Sequence, residues 1–523
     1  MQDITTERLL PAESSLTNRE IAVDISSLAL PIILTDMSIT LNIFFNAQLI
    51  SSLQPEEDSS AAAAIIFSMQ AVLTVAPSAF FYMIFSVIYN PVYEKKEKTI
   101  ITNSLILAVL LSAPIAIFSY FIGEIFSYAG TPRQVCDIVN TYYAVFAFDF
   151  PFHLMAVALH QFAIARRVPE DREWDRQRLL YVGGAINFVS VAGLSWLLTE
   201  IYPLKFLSKL QTIALSFVFG DSVRLLYYGF NFFREGGLFE KLQEISWATH
   251  APLFLEILIG GWKLSLQLLS ELGSLSALSF LAEVLLPNKT VNLDILNAMN
   301  QWFLFLIIVP LSLAQTAQQK LGTRCYEKKY DQVQRYGNII LLISSLYHVL
   351  LLTIVLALPI GFLSLFMNPN ENNNSGISGD FRAMFAIVFT GLWFTAFRNI
   401  IGMALRPLAM IKVPMMNSIM ASWLVSIPSA ILLAKLTDWG VAGILLGYYL
   451  GEAVGALNLL RIWCDVSWPL RVQEIHEDQD RKKEVDEVAY WHCSSVMYAR
   501  LKNFCAVAPP EGYVALDQAT ADV

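Results

Sequence analysis

The chain has 523 residues, 55% of them hydrophobic and only 15% charged, where a soluble protein carries roughly 25% charged residues. Apolar runs of about twenty residues, divided by short polar stretches, exclude a water-soluble globule and read as repeated membrane crossings. A formal charge of −9 with no basic face excludes a nucleic-acid partner, and five cysteines without a CxxC pair suggest neither a disulfide framework nor a zinc site.

Residues 1–24 are mostly polar and lack the apolar core of a secretory signal, so the first hydrophobic run is expected to remain as a transmembrane helix. Runs near 25–50, 61–90, 99–122, 135–164, 179–198 and 210–233 predict six helices, an N-lobe over 25–233. A linker over 234–251 leads to a C-lobe over 252–463, with helices near 252–285, 295–321, 338–367, 381–408, 413–436 and 441–463. The rest, 464–523, is mostly polar and reads as a solvated tail. The fold class is therefore an all-α, polytopic membrane protein of twelve transmembrane helices in two six-helix pseudo-symmetric lobes. No GxxxxGK[ST], HExxH or GxSxG is present, so neither an enzyme nor a cofactor or metal centre is expected.

Lys95, Lys96, Lys98, Arg166, Arg172, Arg176, Arg178, Lys241, Lys320, Arg324 and Arg335 gather in the even-to-odd loops, whereas the opposite loops are nearly free of basic residues. Positive loops stay in the cytoplasm, which puts both termini there. Asn288 and Asn373 satisfy the glycosylation pattern in predicted outer loops, a pattern common by chance.

Pro77 is followed at sixteen residues by Tyr93-Glu94-Lys95-Lys96, and Pro310 at sixteen by Tyr326-Glu327-Lys328-Lys329. One offset of 233 residues maps helix 2 onto helix 8, which predicts two homologous lobes related by an axis along the membrane normal, with a substrate path between them.

Several polar residues fall inside apolar runs, where a charge costs about 2.5–3.5 kcal/mol even on the mild insertion scale. On helix 7, Glu256, Gly260, Lys263, Gln267, Ser270, Glu271 and Ser274 share one stripe. Glu271 is a candidate proton or cation site with Gln267 supplying oxygen; the alternative is a structural ion pair of Lys263 with Glu256 or Glu271. On helix 4, Tyr142, Asp149, His153 and His160 share a face that either relays protons or binds neighbouring helices. Asp36 and Asn42 lie in helix 1, and Asp36 is a candidate partner for Arg398 of helix 10, which otherwise holds an anionic substrate. Asp221 and Arg224, three apart on helix 6, are expected to pair with each other and to need no transport role. Trp302 and Trp393 are candidates for a substrate wall, against placement in the lipid belt.

The stretch GGWKLSLQLLSELGS at 260–274 resembles the seventh helix of the multidrug and toxic compound extrusion (MATE) family, NorM-like and eukaryotic branches, and VPLSLAQTAQQKLGTR at 309–324 resembles its eighth. LALP ending at Pro31, FDFP ending at Pro151 and ALRP at 404–407 are similar to weaker positions of helices 1, 4 and 10. The resemblance implies a secondary exporter of organic cations or other amphipathic molecules, exchanging them for Na⁺ or H⁺ by alternating access. It places Glu271 at the family's helix-7 glutamate. It also places Asn46 at the helix-1 aspartate and Thr395 at the helix-10 aspartate, so that two acids are replaced. The rival readings are a lipid or polysaccharide-precursor flippase of the same superfamily, and a non-transporting membrane scaffold that kept the fold. A monomer in the plasma or inner membrane, acting on a small molecule, is expected.

Overall fold

The computed structural model describes residues 16–466 except 54–55, 90–95, 129, 167, 169–171, 204–206, 235–246, 287–288, 328, 358–376, 409 and 438. Lys95 and Lys241, the sites at Asn288 and Asn373, and the tail beyond 466 lie outside the described residues.

Among the described residues there are helices and no strands, as lipid requires of a chain that must satisfy its backbone within each spanning segment. We number the spans α1 (Asn18–Ser51), α2 (Ala61–Ile88), α3 (Glu97–Tyr120), α4 (Arg133–Phe146 with Asp149–Ala165), α5 (Glu173–Ile201), α6 (Lys209–Arg234) and α7 (Trp247–Leu285). The remaining five are α8 (Met299–Tyr326), α9 (Tyr330–Ala357), α10 (Ile377–Ala404), α11 (Lys412–Leu436) and α12 (Gly440–Asp465). Ten of these are long and apolar enough to cross a membrane, and the bent α4 makes an eleventh. The twelfth, α6, has 26 residues, about 39 Å of helix against a hydrocarbon core of about 30 Å. Its buried Asp221 and Arg224 make it more polar than its neighbours. The chain is an integral, multi-pass membrane protein.

Local sequence explains the ends and breaks. α1 begins with a capping box, in which the Glu20 amide donates to Thr17 Oγ1 at 3.3 Å and the Thr17 amide to Glu20 Oε2 at 2.6 Å. α4 bends by 56° between its two halves. Pro151, in the first turn of the second half, lacks an N–H that would have no intrahelical partner there in any case. α2 tightens into a 3₁₀ turn at Ala79–Tyr82, just after Pro77. Large apolar side chains such as Leu110, Ile117, Leu226, Leu346 and Leu424 point outward and form the lipid-facing surface.

Among the described residues, many of the buried apolar side chains gather in three groups. One joins α1, α2, α4, α5 and α6 around Phe146, Phe150 and Phe217. A second joins α7, α8, α10, α11 and α12 around Phe389, Tyr448 and Tyr449. The third lies at the other end of α2, α3 and α4 and takes in Leu253, Ile257, Leu264 and Leu268 of α7, so that the two helix sets meet there. The repeat prolines Pro77 and Pro310 both sit at irregular places, since α8 is interrupted at Ile307.

Glycine lets α12 lie directly on α11. A Cβ at Gly447 would meet the Ala430 backbone, and one at Gly451 would meet Ser426 and the Ala421 carbonyl, a use of small residues usual between membrane helices. Gly447→Val should therefore force the two backbones apart. We expect a loss of about 1–3 kcal/mol or more, read as a lower Tm and a broadened size-exclusion peak in detergent.

Candidate functional site

Among the described residues, three buried polar clusters bear on function. The first is built on the bent α4. Unwinding between Phe146 and Asp149 brings Asp149 and His153 opposite α6, where His153 Nδ1 lies 2.8 Å from Asp221 Oδ2. Asn187 of α5 donates to Asp221 Oδ1 at 2.8 Å, Arg224 Nη2 approaches the same oxygen at 3.1 Å, and Asn42 of α1 donates to Asn187 at 2.7 Å. Asn46 is also buried and donates to the Asn42 carbonyl at 2.9 Å.

Asp149 differs from Asp221. It is 1% exposed, and among the described residues neither of its carboxylate oxygens has an amide, hydroxyl or cationic donor; what faces it is the Asp221 carboxyl. Asp149, His153 and Asp221 each bring a ligating atom, all within 4.8 Å of one another. Two carboxylates so close in a buried setting do not both stay charged without a cation or a proton between them. Arg224 and Asn187 already serve Asp221, so the open position is at Asp149. The spacing on helix 4 foresaw that Asp149 and His153 share a face. It did not foresee that Asp221 completes the cluster: the expected pair with Arg224 is present, but Asp221 does more than neutralise it.

The second cluster joins α1 to α8. Ser312 Oγ and Gln315 Nε2 donate to Asp36 Oδ2 at 2.9 and 3.0 Å. His160 Nε2 lies 3.8 Å from Asp36 Oδ1, and its Nδ1 lies 3.1 Å from Tyr228 Oη. The expected pairing of Asp36 with Arg398 is thus corrected: hydroxyl and amide donors of α8 take up Asp36, and Arg398 is engaged elsewhere. The first two clusters border one cavity of about 160 Å³, lined by Asp36, Asn42, Gln70, Asp149, His153, His160, Asp221, Arg224 and Gln315 among others. Its wall holds three carboxylates, Asp36, Asp149 and Asp221, against one guanidinium, Arg224.

The third cluster contains Glu271. Its Oε2 lies 3.2 Å from Arg398 Nη2, and its Oε1 accepts from Ser418 at 2.7 Å and from Gln267 Nε2 at 3.2 Å. Arg398 Nη2 also lies 3.0 Å from Oε2 of Glu452, a fully buried acid of α12. Arg406 stacks its guanidinium 5.5 Å from the Tyr82 ring centroid and reaches Gln267 Oε1 at 3.4 Å. The alternative of a Lys263 ion pair at Glu271 is corrected: Arg398 reaches Glu271 from α10. Thr395 is buried and donates to its own helix at the Gly391 carbonyl, 3.2 Å away. Trp393 lies away from the cavity: it is 38% exposed, reaches Ser345 of α9 at 3.4 Å and stacks on Phe394. Trp302 is packed in the apolar core beside Phe305. Sequence reasoning missed Glu452, whose only signal is a lone acid between Gly451 and Gly455 inside an apolar run.

At the α1 end that begins with Asn18, a polar latch joins the two helix sets. Lys320 Nζ lies 2.6 Å from Asp24 Oδ1, Tyr336 Oη donates to Asp24 Oδ2 at 2.9 Å, and Arg324 Nη2 lies 3.8 Å from the same oxygen. Nearby, the missing Cβ atoms of Gly260 and Gly261 admit Met83 and Phe80, and that of Gly322 admits Tyr89. The helix sets are therefore closed on each other at this end.

No family model matches the chain. The probable multidrug resistance protein NorM of Deinococcus radiodurans is 27% identical over 205 residues, 38% of this chain and 44% of that protein. A protein described in the same words, from Synechococcus, is 25% identical over 213 residues, 39% of this chain and 44% of its own. The chain thus spans less than half the length of the curated relatives it matches. Among solved structures, the eukaryotic MATE transporter AtDTX14 superposes with a TM-score of 0.76 at 16% identity, over 88% of this chain and 99% of that one. A MOP superfamily transporter from Pyrococcus furiosus, described as having a binding pocket of reverse polarity, gives 0.72 at 15% identity over 87% and 96%. An outward-facing multidrug resistance MATE family transporter gives 0.71 at 15% over 87% and 96%. The fold is shared at these identities, and the resemblance to the MATE family read from the sequence is borne out.

The latch carries its own test. Asp24→Asn removes the carboxylate that gathers Lys320, Tyr336 and Arg324, and should loosen this end. In a background whose other four cysteines are serine, the maleimide labelling rate of Cys325, buried on α8 beside the latch, should rise several-fold over that of the parent.

Proposed function

We propose that this chain, which carries the fold of the MATE transporters, is a secondary exporter that moves organic cations or other amphipathic small molecules out of the cytoplasm in exchange for Na⁺ or H⁺. In this reading the two lobes, 25–233 and 252–463, alternate between outward- and inward-open states, with both termini and the Asp24 latch on the cytoplasmic side of a plasma or inner membrane. The protein acts as a monomer and uses no cofactor beyond the coupling ion.

The observation that carries the reading is the cavity with its excess of carboxylates, in a bundle whose fold is that of known exporters. Three acids against one base favour a cationic occupant. A coupling ion needs a carboxylate that is free to take it and whose affinity differs between the two states. Asp149 has no donor on either oxygen, whereas Glu271 is held by Arg398 and Ser418. We therefore assign coupling to Asp149 with His153 and Asp221, and a structural part to Glu271 and Gln267. The flippase reading calls for uncompensated basic residues in the cavity. Among the described lining residues the one guanidinium is Arg224, and it is matched by Asp221.

The test is efflux of a fluorescent organic cation from proteoliposomes under an imposed Na⁺ or H⁺ gradient, comparing the intact protein with Asp149→Asn. Gradient-driven efflux at least about tenfold slower in the variant, the equivalent of about 1.4 kcal/mol, is expected. If no cation moves under either gradient while a labelled lipid or anionic probe crosses, the exporter reading fails in favour of the flippase.

A further inference from the structure

The third cluster has the form of a cation site that already holds a cation. Glu271 and Glu452 are both buried and come from different helices, and Arg398 reaches from α10 to place one nitrogen 3.2 Å from the first and 3.0 Å from the second. The stem has a slot of its own: a Cβ added at Gly455 would sit 3.1 Å from Arg398 Cδ, so glycine at that position makes room for the arginine. Ser418 and Gln267 complete the donors around Glu271. The next cation, Arg406, is turned toward Tyr82 and Gln267 and has no ion pair with either acid among the described residues. Arginine keeps its charge at every pH the protein meets.

We propose that Arg398 is a tethered cation, standing in the place of a mobile one between Glu271 and Glu452. Arg398 then matches one of the two carboxylates permanently and the other is neutralised by a proton, so that the C-lobe binds no metal ion from solution and leaves its exchange to the N-lobe. The emptied site takes a free planar monocation, for which guanidinium is the probe. The inference extends the coupling assignment made above, but its test reads stability and needs no transport.

The full chain is purified in detergent and its Tm is followed in choline, Na⁺ and millimolar guanidinium. Removing one partner of a buried ion pair leaves uncompensated charge, which is strongly destabilising. Arg398→Ala should therefore melt well below the intact protein, and guanidinium should raise its Tm by about 3 °C or more over choline, as a ligand of the native state does. The intact protein should show no such rise, and Arg398→Lys, whose slot stays filled, should show none either. If Arg398→Ala yields no folded protein, Arg398→Ala with Glu452→Gln replaces it. That variant removes one charge of each sign, leaves Glu271 to be neutralised, and should gain from guanidinium in the same way.

Two results overturn the proposal. One is a guanidinium response no larger in the emptied variants than in the intact protein. The other is a Tm of the intact protein that rises with Na⁺ and loses that rise in Glu271→Gln, which would place a mobile ion at Glu271. Failure of the Asp149→Asn efflux test touches neither result, so the two readings fall separately.

Discussion

A charge inside the bilayer is tolerated only next to something that compensates it, and the polar interior of this protein is arranged by that requirement. Asp221 has Arg224, His153 and Asn187; Glu271 has Arg398, Ser418 and Gln267; Asp36 has Ser312 and Gln315. Asp221 with Arg224 and Glu271 with Gln267 lie along one helix, but the other links run between helices, so each of those also fixes how two spans sit against each other. Apolar contact alone does not do this in lipid, because a leucine facing a lipid tail is as well placed as one facing a helix. Polar contacts, small-residue packing and shape must supply the specificity.

The backbone irregularities serve the same end. An unbroken α4 would carry Asp149 and His153 on a face continuous with Tyr142; the 56° bend re-aims its second half so that His153 meets α6. Pro151 makes the bend inexpensive, since its missing N–H falls where the helix has no acceptor for one. In the other half, glycine does the equivalent work. Gly447 and Gly451 draw α12 onto α11, and Gly455 opens the space through which the Arg398 stem reaches Glu452. Position in the fold thus follows from a few residues that are special for their backbone, and chemistry from the acids and bases those residues bring together.

Much of this was legible in the sequence. Twelve apolar runs give the twelve spans, because hydropathy is a local property and the bilayer fixes its length scale. The faces of helices 4 and 7 were legible from 3.6-residue spacing, and Asp149 with His153, and Gln267 with Glu271, do lie together. What periodicity does not carry is which face of one helix meets which face of another. Asp36 was matched with Arg398 because both are intramembrane charges of opposite sign, yet α1 meets α8, whose Ser312 and Gln315 carry no charge to draw notice. Glu452 passed unremarked for the reverse reason: it stands alone in an apolar run, without a stripe to mark it. Trp393 illustrates a third limit, since an aromatic residue reads the same whether it faces a cavity or the lipid.

The acids on α4 and α6 are satisfied differently from those on α7 and α12, and the difference bears on how such a molecule can be driven. Exchange requires a group whose occupancy changes between states, because a ligand shifts an equilibrium only by its differential affinity for the two. A carboxylate neutralised by an arginine of the same domain has no such freedom: the guanidinium does not dissociate, and it moves with the helices that carry it. A buried carboxylate with both oxygens unpartnered has that freedom in full, since it must take up a proton or a cation to stay buried and can release it only when water reaches it. Asp149 has neither an ion pair nor an amide, hydroxyl or cationic donor among the described residues and borders the cavity, whereas Glu271 and Glu452 are ion-paired with Arg398 at 3.2 and 3.0 Å.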